Sequence, residues 1–497
     1  MNAPLRRIGI LVMVLFGLLF ANLNWVQAYK ADEYRTSEYN TGRVQVAEYR
    51  RERGPILVGR DAIVAAVSEE TDGRLRFRRT YPEEERWAHV VGYKPVLIGP
   101  AGLEQAENDF LAGNADQFFV DRIWDLFGGP SVGGTIQTTL SRPAQQTAYE
   151  LLRDATDKGA VVALDPRTGA VQAMVSAPSF DPNPLASHDT GAAAAAYAEL
   201  SEDEDKPLLN RAVSERFPPG SVFKVIDTAA ALQAGMGPDT ELVGGAEYTP
   251  ETGGPIGNAP GVVCPGEITL EQSLVVSCNT AFSRLAAEEL GAAALQESAA
   301  GFGFGDDELT VGRPDGGGIP VATSVTGDLQ REDGQDDPPT VAQSAIGQAS
   351  VAMTPLQGAL LAATVANGGV QMQPYLVEQL QDADLRPVYR AEPAELRRPL
   401  PAEAAETLRD MMVGVVTGGT GGNAAISGAV VGGKTGTAET GGDGADHGWF
   451  VGFAIVDGEP VSAVAVLLEN AGSGGSSEAA RIAGQVLQAA IGDQGSG

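Results

Sequence analysis

This 497-residue chain contains little of three kinds of side chain that often build functional sites: thiols, imidazoles and cations. It has two cysteines and three histidines, and 34 lysines and arginines stand against 65 aspartates and glutamates, for a formal net charge of -31. A nucleic-acid partner is therefore disfavoured, because phosphate contacts need a basic surface. The sequence has no Cys-x-x-Cys pair and no Cys/His cluster, so it indicates no metal site.

The two cysteines, Cys264 and Cys278, leave two alternatives open. In an oxidising compartment they can form a disulfide, which contributes about 3 kcal/mol for a loop of this size; otherwise they are two separate thiols. The three histidines, His89, His188 and His447, are too few and too scattered to indicate a Ser-His-Asp triad. If a serine is the nucleophile, we expect its base to be a lysine.

The N-terminus carries a targeting signal. Arg6 and Arg7 precede an apolar run from Ile8 to Leu23. Its length lies between that of a secretory signal and that of a full membrane span, and Val26-Gln27-Ala28 can be interpreted as a weak cleavage site. We predict an uncleaved signal anchor over residues 1–28, with the arginines in the cytoplasm and the rest of the chain outside it.

One short stretch joins a turn, a helix start, a serine and a lysine. Pro218-Pro219-Gly220 runs into Ser221 and then into apolar, helix-compatible sequence. Residues three apart on a helix share a face, so the Ser221 hydroxyl and the Lys224 amine are predicted to lie within hydrogen-bonding distance. The helix is apolar on nearly all sides and hence buried, and a buried lysine must be paired or lower its pKa towards the neutral amine. Ser-x-x-Lys alone also occurs by chance in many helices.

Two further polar motifs follow. Thr269-Leu270-Glu271-Gln272 has the form of a capping box, and the helix that it begins runs into Ser277-Cys278-Asn279. A second helical run follows, so this triplet is predicted at a joint between two helices, where side chains can point into a cleft. Lys434-Thr435-Gly436-Thr437 lies in a strand-like segment. Taken alone, the triplet fits ordinary helix caps and the lysine fits a glycine-rich edge strand.

The predicted strands lie at both ends of one long region. Gly159–Leu164 and Ala170–Val175 predict a β-hairpin, and Trp449–Val456 and Val461–Leu468 predict another. Helices between them indicate a single antiparallel sheet flanked by helices, an α/β (α+β) architecture. Residues 301–340 are rich in Gly, Pro and Asp and are predicted to form a loop.

We expect three parts in the chain. The cytoplasmic tip and anchor occupy residues 1–28. A mixed N-terminal pedestal, in which nothing has the spacing of a catalytic set, occupies residues 29–140. The sheet-containing domain with the three motifs occupies residues 141–497.

The motifs occur in one order: Ser221-x-x-Lys224, then Ser277-Cys278-Asn279, then Lys434-Thr435-Gly436. This ordered set is shared by β-lactamases and penicillin-binding proteins. From the anchor to the last helix the chain resembles the class B penicillin-binding proteins, in particular the short, anchored penicillin-binding protein A subgroup. The other matching stretches are Gly102-Leu103-Glu104, Leu164-Asp165-Pro166 with Gly169, Phe217-Pro218-Pro219-Gly220, Gly347-Gln348 and Thr354-Pro355-Leu356-Gln357. The chain departs from the family at Cys278, where Ser or Asp is frequent, and at Ala349, where Gly is frequent.

The resemblance implies a penicillin-binding, β-lactamase-like transpeptidase domain over residues 141–497 and a reaction that needs no cofactor. Ser221 would attack the carbonyl of a D-alanyl-D-alanine stem peptide and become acylated. Lys224 would be the base, with its pKa lowered by burial and by Lys434. Ser277 would pass a proton between one of these lysines and the leaving amine.

The resemblance also assigns the substrate contacts. Asn279 would hold the peptide backbone, and Thr435 and Thr437 would bind its terminal carboxylate, with Lys434 supplying charge. The oxyanion hole would be formed by the backbone N–H groups of Ser221 and Thr437. Gly436 would leave room for the substrate to lie along the strand.

The implied partners are peptidoglycan stem peptides, β-lactam antibiotics, a membrane glycan polymerase, and proteins of cell division or elongation. Two other functions compete. One is a D,D-carboxypeptidase or β-lactamase, in which water deacylates the serine, although no carboxylate is clearly spaced to activate that water. The other is a catalytically retired division scaffold or a β-lactam sensor.

Overall fold

The computed structural model describes residues 2–30, 46, 48–59, 62–115, 132–440 and 444–494. Its strands are β1 (Ile56–Val58), β2 (Ile63–Glu70), β3 (Phe77–Thr80), β4 (Thr135–Thr138), β5 (Gly159–Leu164), β6 (Val171–Ala177), β7 (Glu241–Val243), β8 (Glu247–Tyr248), β9 (Ile256–Gly257), β10 (Glu267–Thr269), β11 (Thr310–Gly312), β12 (Gly318–Pro320), β13 (Gln371–Met372), β14 (Val377–Gln381), β15 (Pro387–Arg390), β16 (Glu395–Arg397), β17 (Val430–Ala438), β18 (His447–Val456) and β19 (Glu459–Leu468). Its α-helices are α1 (Asn2–Asn24), α2 (Ala88–Val91), α3 (Gly102–Ala106), α4 (Asn108–Leu111), α5 (Arg142–Ala155), α6 (Thr190–Glu202), α7 (Arg211–Ser214), α8 (Lys224–Gln233), α9 (Leu270–Val276), α10 (Asn279–Arg284), α11 (Gly291–Gly301), α12 (Pro338–Ser344), α13 (Pro355–Ala366), α14 (Ala402–Gly418) and α15 (Gly475–Gln494).

The main sheet has five antiparallel strands in the order β17-β18-β19-β5-β6. The two predicted hairpins are both present, and β19 pairs with β5, so the end of the chain meets residues about 300 positions earlier. The tight β18–β19 turn has Asp457 at φ 51° and Gly458 at φ 85°. Both values suit a hairpin turn of the type that Asp-Gly favours. The prediction that the strands of these two hairpins share one antiparallel sheet is confirmed.

Helices cover both faces of this sheet. On one face lies α13, and all of its residues are buried. Its start is set by Thr354, whose hydroxyl accepts a hydrogen bond from the Gln357 N–H at 3.1 Å, and by Pro355 in the first turn. On the other face lie α5 and α15. The sheet is thereby buried on both sides, which explains why β18 and β19 are continuous apolar runs.

A second, six-stranded sheet has the order β15-β14-β4-β1-β2-β3. Its strands β1 to β4 come from the predicted pedestal, but β14 and β15 come from residues 377–390. Beside it, the buried Glu104 carboxylate accepts hydrogen bonds from Arg53 at 2.6 Å and Arg79 at 2.5 Å. This sheet therefore ties the N-terminal region to the rest of the molecule.

The remaining elements bear on two expectations. The segment from Arg6 to Tyr29 is long and apolar enough to cross a membrane, with a mean hydropathy of 2.1.

Residues 301–340 are not entirely loop, because β11 and β12 form a short antiparallel hairpin and α12 begins at Pro338. That part of the loop prediction was wrong, since three-residue strands are too short to produce a periodic signal.

Candidate active site

The serine motif forms a tight turn that leads into a buried helix. Gly220–Val222 make one turn of 3-10 helix, and α8 begins at Lys224. Gly220 has φ +54°, and a Cβ added there would lie 2.2 Å from the Thr437 carbonyl oxygen. The Gly220 N–H donates to the carbonyl of Gly347 at 3.0 Å. Glycine is required because β17, the strand that carries the Lys434-Thr435-Gly436-Thr437 motif, passes directly against this turn.

The amine of Lys224 lies at the centre of the first two motifs. Its Nζ is 3.0 Å from Ser221 Oγ and 3.2 Å from Ser277 Oγ. It is also 2.9 Å from the Ser277 carbonyl oxygen and 2.7 Å from Asn279 Oδ1. These last two oxygens can only accept hydrogen bonds, so they take two N–H groups of the amine. A neutral Lys224 then turns its lone pair towards the hydroxyls, one of which belongs to Ser221.

The protonation of both lysines follows from their burial. Lys224 is fully buried, and burial first and the nearby Lys434 second hold its pKa well below its usual range. Burial lowers the pKa of Lys434 to about 7. Asp227, on the same helix, has both carboxyl oxygens buried without a donor among the described residues, and burial raises its pKa. Asp227 raises the pKa of Lys224, but less than burial and Lys434 lower it, so the neutral amine is favoured.

The second motif lies where α9 ends and α10 begins, as predicted. The predicted cap of α9 is present, with the Thr269 hydroxyl accepting from the Gln272 N–H at 3.1 Å. Ser277 ends α9 in a left-handed conformation, φ 62°. This conformation turns its side chain into the cleft, where Oγ lies 2.9 Å from Lys434 Nζ. The Ser277 hydroxyl thus bridges the two buried amines.

The loop that contains Asn258 and Cys264 precedes the second motif in the chain and holds it in place. Cys264 and Cys278 form a disulfide with a Cα–Cα distance of 5.6 Å, which decides between the two alternatives left by the sequence. The Asn258 side-chain oxygen accepts from the Asn279 N–H at 2.9 Å and from the Thr280 N–H at 3.3 Å. The sequence did not single out Asn258, because it lies in no recognisable motif and meets the site only through tertiary packing.

The third motif lies on β17, an edge strand of the main sheet. Lys434 is buried, Thr435 is 6% exposed, and Thr437 is exposed. Gly436 was expected to leave room for substrate, but a Cβ there would lie 2.6 Å from the Pro219 carbonyl oxygen. The glycine therefore allows the turn at Gly220–Val222 to approach the strand, and the room that it would leave for substrate stays a prediction.

The structure brings together all the residues that the sequence singled out for the site. The turn at Gly220–Val222, the joint between α9 and α10, and the edge strand β17 converge. Direct hydrogen bonds join Lys224, Ser277 and Lys434. Thr435 and Thr437 lie on β17 beside the turn at Gly220–Val222. Besides Asn258, sequence reasoning missed Thr420, whose hydroxyl lies 2.5 Å from that of Thr435. Its only sequence signal is a glycine-rich turn.

Comparison with known proteins agrees with this geometry. Residues 159–488 match the family model of the penicillin binding protein transpeptidase domain, and residues 53–136 match that of the penicillin binding protein A dimerisation domain. This chain belongs to the penicillin-binding protein family. Its fold is the penicillin-binding transpeptidase fold, with an additional N-terminal domain.

Relatives of this penicillin-binding protein extend over nearly the full chain. It is 41% identical to the peptidoglycan D,D-transpeptidase PbpA of Mycolicibacterium smegmatis, covering 99% of this chain and 98% of the relative. It is 39% identical to PbpA of Mycobacterium tuberculosis, covering 99% of both. Its structure superposes on an imipenem acyl-enzyme complex of penicillin-binding protein A from M. tuberculosis with a TM-score of 0.82, at 38% identity, over 90% of this chain and 100% of the other.

Proposed function

We propose that this penicillin-binding protein is a peptidoglycan D,D-transpeptidase that cross-links stem peptides through an acyl-enzyme on Ser221. The observation that carries the proposal is the position of Lys224 Nζ, 3.0 Å from Ser221 Oγ and held by two carbonyl oxygens. A serine needs an adjacent base to become a nucleophile, and a buried amine with a lowered pKa is such a base. The names of the full-length relatives support the same reaction.

Acylation begins at the Ser221 hydroxyl. Its oxygen attacks the carbonyl carbon of the D-Ala-D-Ala peptide bond while its proton passes to the neutral amine of Lys224. The backbone N–H groups of Ser221 and Thr437 would hold the oxyanion, and the close packing of Gly220 on the Thr437 backbone supports that pairing. The C–N bond then breaks, and the departing D-alanine amine takes a proton.

The Ser277 hydroxyl is the proton carrier for this second step. It lies 3.2 Å from Lys224 Nζ and 2.9 Å from Lys434 Nζ, so it can give its proton to the leaving amine and recover one from a lysine. In the transfer step, the amine of a second stem peptide attacks the ester, loses a proton to Lys224, and displaces Ser221 with its proton restored. A β-lactam follows the first step only, because its leaving group stays tethered.

The substrate contacts come from the other motif residues. Asn279 uses Oδ1 for Lys224 and one N–H for the Gly257 carbonyl at 3.0 Å, which leaves a second N–H for the peptide backbone. Thr435 and Thr437 would donate to the terminal carboxylate, and Lys434 adds positive charge behind them. The free edge of β17 would accept the peptide as an added strand.

The test is intact-protein mass of the full chain in detergent after mixing with benzylpenicillin, beside Ser221→Ala. We expect a stable mass increase of one drug molecule that is absent from the variant. No adduct on folded wild-type protein would contradict the proposal and favour a scaffold. An adduct lost within seconds would instead indicate a hydrolase of the β-lactamase type.

The location and division of the chain are part of the proposal. The apolar helix would anchor a single-pass protein whose catalytic domain, residues 141–497, stands outside the cytoplasm on a pedestal formed by residues 29–140. A membrane glycan polymerase and division or elongation proteins would be its partners. Protease added to cells with a permeabilised outer envelope and an intact membrane should remove nearly all of the chain; full protection would contradict this topology.

A further inference from the structure

The turn between α14 and β17 carries a hydroxyl directly to the third motif. Thr420 lies on this turn and is exposed. Its position is fixed by its neighbours: a Cβ on Gly419 would lie 2.3 Å from the carbonyl oxygen of Val275, and the Gly421 N–H donates to the Val415 carbonyl at 2.9 Å. The turn is thus packed against α9, the helix that ends at Ser277.

The hydroxyls of Thr420 and Thr435 form one short hydrogen bond. Their oxygens are 2.5 Å apart, and either can be the donor. Among the described residues, Thr420 provides the hydrogen-bond partner of the Thr435 side chain, which is almost fully buried. Each hydroxyl has a single hydrogen. If the Thr435 hydroxyl donates its hydrogen to Thr420, it cannot also donate to an anion.

We propose that Thr420 is a positioning residue that orients the Thr435 hydroxyl towards the carboxylate of the donor peptide. When an anion arrives, Thr420 donates to Thr435 Oγ1, and Thr435 then donates its own hydrogen to the carboxylate. A hydroxyl that accepts one hydrogen bond becomes a stronger donor of the next. The inference rests on the proposed function, because it assumes that a carboxylate binds at Thr435.

Thr437, two residues further along the same face of β17, provides a comparison. The Thr437 hydroxyl lies 3.4 Å from the Ser476 hydroxyl, in an exposed setting at the start of α15. That contact is longer and competes with water, so it orients Thr437 less firmly. Ser476 therefore offers a matched control: removal of its hydroxyl should have a smaller effect than removal of the Thr420 hydroxyl.

The experiment measures acylation rate constants of the full chain in detergent for a fluorescent penicillin and for its methyl ester, which lacks the anion. Thr420→Val keeps the shape of the side chain and removes the hydroxyl. We expect it to lower the second-order rate constant for the acid about 5- to 10-fold, through weaker binding, and to change that for the ester by less than about 2-fold. Thr420→Ser should restore the acid rate, and Ser476→Ala should lower it by less than Thr420→Val does.

The outcomes separate the two levels of inference. Equal losses for acid and ester in Thr420→Val would overturn the orienting role, because a merely structural defect affects both probes alike. So would an unchanged acid rate. If the wild-type chain reacts with neither probe while remaining folded, the proposed function itself fails. An unchanged melting temperature of Thr420→Val shows that the variant is folded.

Discussion

Two of the places in which the molecule buries charged groups differ in how those groups are stabilised. In the N-terminal region, the Glu104 carboxylate is bound by two arginines, Arg53 and Arg79. Burial alone raises the pKa of Glu104, but the two guanidinium groups outweigh burial and lower it below its usual value. In the cleft, the hydrogen-bond partners that the structure describes for the buried Lys224 and Lys434 are hydroxyls and carbonyl oxygens, not carboxylates. Their pKa values fall.

The difference separates a structural site from a reactive one. A buried ion pair with satisfied hydrogen bonds keeps both groups charged, so it resists change in either partner. At Lys224, burial and the neighbouring Lys434 outweigh the effect of Asp227 and favour the neutral amine, which can accept a proton. The cause of the shift therefore distinguishes the two sites: opposite charges hold Glu104 ionised, and burial beside a like charge leaves Lys224 able to accept a proton.

The largest effect that this comparison predicts is that of Lys224→Met on acylation. Loss of the base should lower the acylation rate by about 10³-fold or more, since general-base assistance typically contributes 10²- to 10⁴-fold. The free energy of unfolding should fall by less than in a variant that breaks a buried ion pair, because methionine removes only hydrogen bonds to the Ser277 and Asn279 oxygens. Stopped-flow acylation and thermal unfolding of the same samples measure the two quantities.

The matched control for that variant is Lys206→Met, at an exposed position outside the cleft. It should leave both acylation and stability near the wild-type values. Wild-type acylation in Lys224→Met would remove Lys224 from the role of base, and a large loss of stability would show that its amine is paired like Glu104.

Glu104→Gln tests the other region. It leaves two buried guanidinium groups without their carboxylate, so we expect a loss of about 3–5 kcal/mol in the free energy of unfolding. The acylation rate of the folded fraction should change by less than about 2-fold, because Glu104 lies outside the cleft. Glu70→Gln is the control, since its ion pair with Arg76 is exposed and such pairs contribute less than about 1 kcal/mol. A stability change equal in the two variants would contradict the contrast between the regions.

Local sequence signals predicted the parts of the site that depend on neighbouring residues. The turn before Ser221 and its one-turn spacing from Lys224, the cap at Thr269, and the Asp-Gly hairpin of β18 and β19 all rest on contacts within a few positions, and the structure has each of them. The motif order then allowed the family to be recognised. No single motif carried that inference.

Contacts between distant residues were not predictable in the same way. Asn258 meets Asn279 through a loop fold, β14 joins β4 across more than 200 positions, and Thr420 meets Thr435 because Gly419 fits against α9. None of these leaves a periodic pattern, since each depends on tertiary packing. The cysteine pair shows the same limit: the spacing permitted a disulfide, and only the fold decided it.

The smallest effect concerns pH: stability rises with pH in both regions, but in different pH ranges. Glu104 has a lowered pKa, so its stabilisation is present above the pKa of the unfolded state, about 4.3, and is lost as pH falls through the folded value. Lys434 has a folded pKa of about 7 against about 10.4 when unfolded. Its burial therefore costs most below pH 7, and above pH 7 the unfolded chain binds more protons, so stability rises with pH.

We expect the free energy of unfolding of the wild-type chain, relative to Lys434→Met, to rise by about 1 kcal/mol between pH 7.5 and 8.5, since one proton per molecule corresponds to about 1.4 kcal/mol per pH unit. Equilibrium unfolding of both proteins at the two pH values, in one detergent, measures the difference. Lys206→Met should keep the wild-type slope, because this side chain is exposed and lies outside the cleft. An equal change in the free energy of unfolding between the two pH values for wild type and Lys434→Met would contradict this prediction. It would mean that Lys434, like Glu104, stays charged when buried.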